Sequence, residues 1–218
     1  MEKKKRISIF IDGNNFYYGL RRIYGKNKKL KDFNYKKFLD YLVKKNVLVK
    51  TFYYNAQLDK NLNPEKYESQ KEFFESLRKI QNFHVVLCRL LKRKIAGTDK
   101  FYYIIKEDDI NMAVDMVEGA CDNKFDVAIL VSGDGDFVPA VNSVKNKDKE
   151  VINIYFKTSS SRNLKDNCNE SIELTKEKLD HFFEEDKKEN ESKDNNWIVK
   201  SNIFALFKVV RGWLVMVS

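Results

Sequence analysis

The chain has 218 residues, 43% of them hydrophobic and 13% aromatic, which excludes a fully disordered protein and suffices for a core without disulfides or structural zinc. Two isolated histidines and three scattered cysteines argue against a Cys/His metal site, a disulfide framework and Ser-His-Asp chemistry. The net charge of +9 is unevenly spread: residues 1–60 hold 16 Lys/Arg against 5 Asp/Glu, whereas residues 106–150 hold 5 against 11. A basic half attracts a polyanion, and an acidic segment needs cations if its carboxylates are brought together.

In chain order, Arg6–Ile11 is a short apolar run that ends in Asp-Gly-Asn-Asn, as a buried strand entering a turn does. Its four or five apolar residues are too few for a secretory signal, so the chain reads as intracellular and cytoplasmic. Residues 14–24 and 33–46 have helical periodicity, and Val47–Gln57 is rich in β-branched and aromatic residues, as a strand is. Pro64–Ile80 starts a helix on proline, and Phe83–Leu91 is a third strand. Gly97 turns the chain before Phe101–Ile105. Asp108–Cys121 carries an apolar stripe of Ile110, Met112, Ala113, Met116 and Val117. Phe125–Ser132 is the most continuous apolar run of the core, followed by Gly-Asp-Gly-Asp-Phe, a helix to about Asn146 and a last strong strand at Glu150–Phe156. Strands alternating with helices predict an open, parallel α/β sheet with helices on both faces. Ligands of such sheets sit outside the carboxyl ends of the strands, where both acidic turns fall.

Three constellations carry the chemistry. Asp12-Gly13-Asn14-Asn15 ends the first strand, with Asn14 and Asn15 placed to cap the next helix or orient the carboxylate. In Lys106-Glu-Asp-Asp-Ile-Asn-Met-Ala-Val-Asp115, either Asp108 or Asp109 complements a helix N-terminus, but Asp115 lies in an otherwise apolar stretch. Asp109 and Asp115 fall about 120° apart on a helix, while Asp108 and Asp115 nearly align. Ser132-Gly-Asp134-Gly-Asp136-Phe is the strongest, since two carboxylates set close together need protons or a hard divalent cation such as Mg²⁺ or Mn²⁺. A plain capped turn explains each motif taken singly.

Taken in order, IFIDGNN, KEDDINMAVDM and VAILVSGDGDFVPAV resemble the NYN domain of LabA-like proteins, within the PIN-like nuclease superfamily. The resemblance spans roughly residues 5–175. It implies a Rossmann-like (PIN-like) parallel sheet and a Mg²⁺- or Mn²⁺-dependent acidic site for phosphodiester hydrolysis, usually of RNA. Matched by motif, Asp12, Asp109, Asp115, Asp134 and Asp136 are the implied metal ligands, and Asp12, Asp109, Asp134 and Asp136 the catalytic set. Asn14, Asn15, Ser132 and Lys106 stand in support. Two positions depart from the family: Gly135 stands where serine is frequent, and Asn169 replaces a peripheral aspartate. The scarcity of histidine agrees with metal-based hydrolysis. Arg21, Arg22, Lys26, Lys28 and Lys29, interleaved with Tyr17, Tyr18 and Tyr24, suit a single nucleic-acid strand tracked by phosphate contacts and stacking. The rival is a non-catalytic nucleic-acid-binding or regulatory module on the same fold. A dehalogenase-type phosphatase is rejected, because Asn14 stands where it needs a second aspartate.

The domain is expected to run from residue 1 to 183. Residues 184–196 form a charged linker, where limited proteolysis should cut first. An apolar segment at 197–218 follows; as a helix it would gather Lys200, Lys208 and Arg211 within about 80°. Docking of that segment on protein or an anionic membrane, and a homo-oligomer, are left open.

Overall fold

The computed structural model describes residues 3–98 and 101–183, and in the tail the backbone of 207–210 and 213–216. Strand β1 (Arg6–Asp12) is the spine. On one side it pairs in parallel with β2 (Val47–Ala56), which pairs in parallel with β3 (Phe83–Lys94). On the other it pairs with β5 (Val127–Val131), followed outward by β6 (Glu150–Tyr155) and β7 (Glu170–Glu173), again all parallel. With β4 (Phe101–Lys106) at the far edge, the order is β4-β3-β2-β1-β5-β6-β7. Strand order reverses between β1 and β5, and that crevice is where an open α/β sheet binds its ligand.

Alternation along the strands sorts two cores. Ile7, Ile9 and Ile11 of β1, with Val127, Ile129 and Val131 of β5, face α1 (Gly13–Tyr24), α2 (Tyr35–Val43), α3 (Pro64–Arg78) and α7 (Lys176–Asp180). Phe10, Ala128 and Leu130 face the other way, onto α4 (Asp108–Cys121), α5 (Val138–Lys145) and α6 (Arg162–Asn167). Helices therefore cover both faces, as the alternation predicted. Phe16 of α1 is fully buried among Phe33, Tyr35, Phe38 and Phe156, so truncation to alanine should cost about 3–5 kcal/mol.

Two elements differ from the reading of the sequence. β4 runs antiparallel to β3, with Arg89 opposite Lys106 and Lys94 opposite Phe101. The pairing of β2 with β3 ends at Ala56 and Cys88, so Arg89–Lys94 and their partners in β4 project past the carboxyl end of the parallel sheet. This hairpin also returns the chain to that end, where Glu107, at φ 78°, turns it into α4. In the tail, β8 (Phe207–Val210) and β9 (Trp213–Met216) pair as an antiparallel hairpin rather than an amphipathic helix. FKVV and WLVM are β-branched and aromatic runs separated by Arg211-Gly212, a hairpin pattern that outweighs the helical spacing of the charges. Lys200 and the linker 184–196 lie outside the described residues. Among the described residues no helix is long and apolar enough to cross a membrane.

Candidate active site

The site is assembled by three loops at the switch point between β1 and β5. Asp12 is the last residue of β1 and caps α1: its Oδ1 accepts from the Asn15 N–H at 2.9 Å, and its Oδ2 accepts from the Ser132 hydroxyl at 3.1 Å. Ser132, buried just beyond β5, also accepts from the Asp134 N–H, and Asp134 in turn accepts from the Asp136 N–H at 2.9 Å. One chain of hydrogen bonds thus links the first and third motifs. Below it, the fully buried Asn153 of β6 donates to the carbonyls of Ser132 (2.8 Å) and Leu130 (3.2 Å), pinning the end of β5.

The second motif arrives from the hairpin. Burial, then the Asp108, Asp12, Asp134 and Asp136 carboxylates, push the Asp109 carboxyl up to about 7. Burial, with Asp108 and Asp134 adding to it, pushes Asp12 up to about 6 against its two hydrogen bonds. Asp108 is raised mainly by burial, and Lys106 favours its charged form. Asp12, Asp109, Asp134 and Asp136 therefore occupy one electrostatic neighbourhood. Asp108 belongs to it as well, although the sequence offered only helix capping as its reason. Asp115 stands apart: seven residues down α4, about 10 Å from Asp108 along the axis, its Oδ2 accepts from the Tyr54 hydroxyl at 2.7 Å. Asn14 is partly buried in the first turn of α1, and Asn15 accepts from the Ser159 hydroxyl at 3.2 Å.

The predicted basic strip divides. Arg22 reaches toward the site end and donates to the Thr158 carbonyl at 3.4 Å. Arg21 instead closes the end of α1 on the Gly25 carbonyl. Lys26, Lys28 and Lys29 follow that end, about 18 Å of helix away from Asp12, with the Lys28 ammonium 5.4 Å from the Phe183 ring centroid. Of the interleaved tyrosines, Tyr24 is core and bonds Asp180, whereas Tyr17 is 45% exposed. The basic surface on the site's own side is the β3–β4 hairpin, with Arg89, Lys92, Arg93 and Lys94. Its signal in the sequence was the RLLKRK run.

Among the described residues no three His, Cys, Asp or Glu side chains converge closely enough to form a ready-made metal cage. The donor set is nonetheless all oxygen and anionic, so its chemistry fits a hard divalent ion. A sign follows for stability. Asp12 and Asp109 have folded-state values above their ordinary ones, so the stability associated with their protonation is present below about pH 4 and lost as pH rises through 6 to 7. Metal-free protein should melt higher at pH 5 than at pH 7.5. Mn²⁺ should raise the melting temperature more at pH 7.5 than at pH 5, and thermal melts over that grid check both statements.

Comparison with known proteins identifies the family of the chain. No curated protein matches the chain. A solved structure of a protein of unknown function, VPA0982 from Vibrio parahaemolyticus, is 26% identical, with a TM-score of 0.61 over 81% of this chain and 98% of that one. A putative oxidoreductase from Parabacteroides merdae matches only at 10% identity and TM-score 0.27, over 69% of this chain and 25% of that one. The NYN domain profile matches residues 6–175, from the first residue of β1 to just past β7 and across all three acidic motifs. The chain belongs to the NYN domain family, within the PIN-like nuclease superfamily.

Proposed function

We propose that this protein is a Mg²⁺- or Mn²⁺-dependent ribonuclease that hydrolyses phosphodiester bonds of single-stranded RNA, in the manner of a LabA-like NYN protein. The observation that carries the reading is that three separate loops bring Asp12, Asp108, Asp109, Asp134 and Asp136 to one crevice, where Ser132 links Asp12 to Asp134 by hydrogen bonds and where burial and neighbouring carboxylates raise Asp12 and Asp109. A purely structural turn gains nothing from such repulsion. Asp12, Asp109, Asp134 and Asp136 would hold the divalent ion, which when bound would supply Lewis acidity for phosphodiester hydrolysis. Asn15 and Ser132 fix the Asp12 carboxylate, and Lys106 offsets part of the negative charge. Asp115 buttresses α4 through Tyr54 rather than touching the ion, so Asp115→Asn should retain activity within about tenfold while Asp109→Asn does not. The protruding hairpin and Arg22 supply cations for the strand.

Cleavage of end-labelled single-stranded RNA in Mn²⁺ against EDTA tests the reading. Activity that survives both EDTA and Asp134→Asn would refute it. RNA binding and metal-dependent melting without any cleavage would favour the binding-module alternative.

A further inference from the structure

The loop after β6, Lys157-Thr-Ser-Ser-Ser161, is hydroxyl-rich and has no role in the acidic centre, yet it is built into the same mouth. Together with Asn15, Gly133, Asp134 and Gly135 it lines an open, shallow cleft of about 320 Å³. That volume sits at the lower end of the ~300–1,000 Å³ typical of small-ligand sites. The loop is held in place: the Ser161 N–H donates to the Gly133 carbonyl at 2.9 Å, and the Ser159 hydroxyl donates to Asn15 Oδ1 at 3.2 Å. With its oxygen engaged there, Asn15 keeps its amide N–H groups for a ligand. Arg22 Nη1 lies 3.4 Å from the Thr158 carbonyl and brings a guanidinium to the loop's outer side.

We propose that this cleft is a phosphate-binding subsite that holds a phosphodiester of the substrate strand beside the one being hydrolysed. The proposal rests on the nuclease reading and extends it to residues with no carboxylate role. The donors suit the ligand: a phosphate oxygen only accepts hydrogen bonds, and the lining includes Lys157, Asn15 and Thr158, whose ammonium, amide and hydroxyl can donate, while the Ser160 hydroxyl is engaged by the Lys157 carbonyl at 3.3 Å. Lys157 in the lining and Arg22 behind the loop disfavour a cation at this spot, and Asp134 is the lining's single carboxylate. Asp134 also fixes the polarity of the mouth, with the acidic centre on one side of it and the anion subsite on the other.

The test is the binding of a fluorescent single-stranded RNA dodecamer to the full chain in EDTA, by anisotropy over a salt series, with inorganic phosphate at matched ionic strength as competitor. Lys157→Gln should weaken RNA binding about fivefold and lower the slope of log Kd on log salt by about 0.7, one single-strand phosphate contact. Lys157→Arg should restore both. Lys147→Gln, in the turn before β6 at the other end of the sheet, removes the same charge and should leave both near wild type. Competition by millimolar phosphate that is lost in Lys157→Gln would confirm the chemistry of the subsite. An equal loss in Lys147→Gln would show a net-charge effect and overturn the proposal, as would RNA binding unchanged by Lys157→Gln. Wild-type protein that binds no RNA at any salt would remove the nuclease reading and the subsite together. Binding that depends on Lys157 without cleavage would keep the subsite and remove only the catalysis.

Discussion

Replacement of Asp12 by asparagine is expected to lower RNA cleavage by about a hundredfold or more while leaving the metal-free protein at least as stable as wild type at neutral pH. The two effects separate because Asp12 has two jobs. As a cap it presents one oxygen to the Asn15 N–H and another to the Ser132 hydroxyl. An asparagine keeps the first through its carbonyl oxygen, and asparagine is as good a helix cap as aspartate. The Ser132 hydroxyl can turn to accept from the new amide. As a charge, Asp12 is destabilised by burial and by Asp108 and Asp134, so its neutral isostere relieves repulsion. Cleavage falls because an amide is a poor ligand for a divalent ion and leaves the centre one charge short; loss of one preorganised electrostatic partner commonly costs 10²–10³ in rate. Single-turnover cleavage in Mn²⁺ and melts in EDTA at pH 7.5 measure the pair. A variant that melts lower than wild type in EDTA would place Asp12 among structural groups, and one that still cleaves would move the reaction away from this crevice.

Gly133→Ala should be the most damaging single change of one methyl group. A Cβ on Gly133 would stand 1.4 Å from the carbonyl oxygen of Ser159 and 2.4 Å from its carbonyl carbon. Both are backbone atoms of another loop, so no rotamer change relieves the overlap. The loops must part, which breaks the Ser161-to-Gly133 hydrogen bond and carries Ser159 away from Asn15. A cost of about 3 kcal/mol, the upper end for overpacking, lowers the melting temperature by about 6–12 °C in a chain of this size. Activity should fall with it even at temperatures where the variant is folded. Gly25→Ala is the contrast: φ is 56° there but nothing lies within 4 Å, so the expected cost is the ~1–3 kcal/mol of a strained backbone alone, with cleavage unchanged. Wild-type melting of Gly133→Ala would mean that the two loops do not touch as described.

Much of this was legible in the residues themselves. Strong periodicity reports local structure, so Asp108–Cys121 was read with the bounds that α4 has, and β1, β5 and β6 within two residues at either end. Because parallel strands put all their carboxyl ends on one side, the sequence also placed Asp12 and Asp134 at the same end of the sheet without any coordinates. The direction of β4 was not legible: FYYIIK suits either orientation, and only its pairing against Arg89–Lys94 makes it a returning edge strand. The same limit hid which charges share a neighbourhood. Lys26–Lys29 are close in sequence to Asp12 but lie beyond the far end of α1, while Lys157 is far along the chain and lines the cleft beside Asp134. Asp108 looked like a helix cap until strand order set it beside Asp12 and Asp134. Nothing local marks Asn153, whose amide serves the Ser132 and Leu130 carbonyls only once β6 lies beside β5. Local periodicity and turn chemistry act over a few residues and are written in the chain. Contacts between residues tens of positions apart depend on the order in which the strands pair, which only the folded sheet decides.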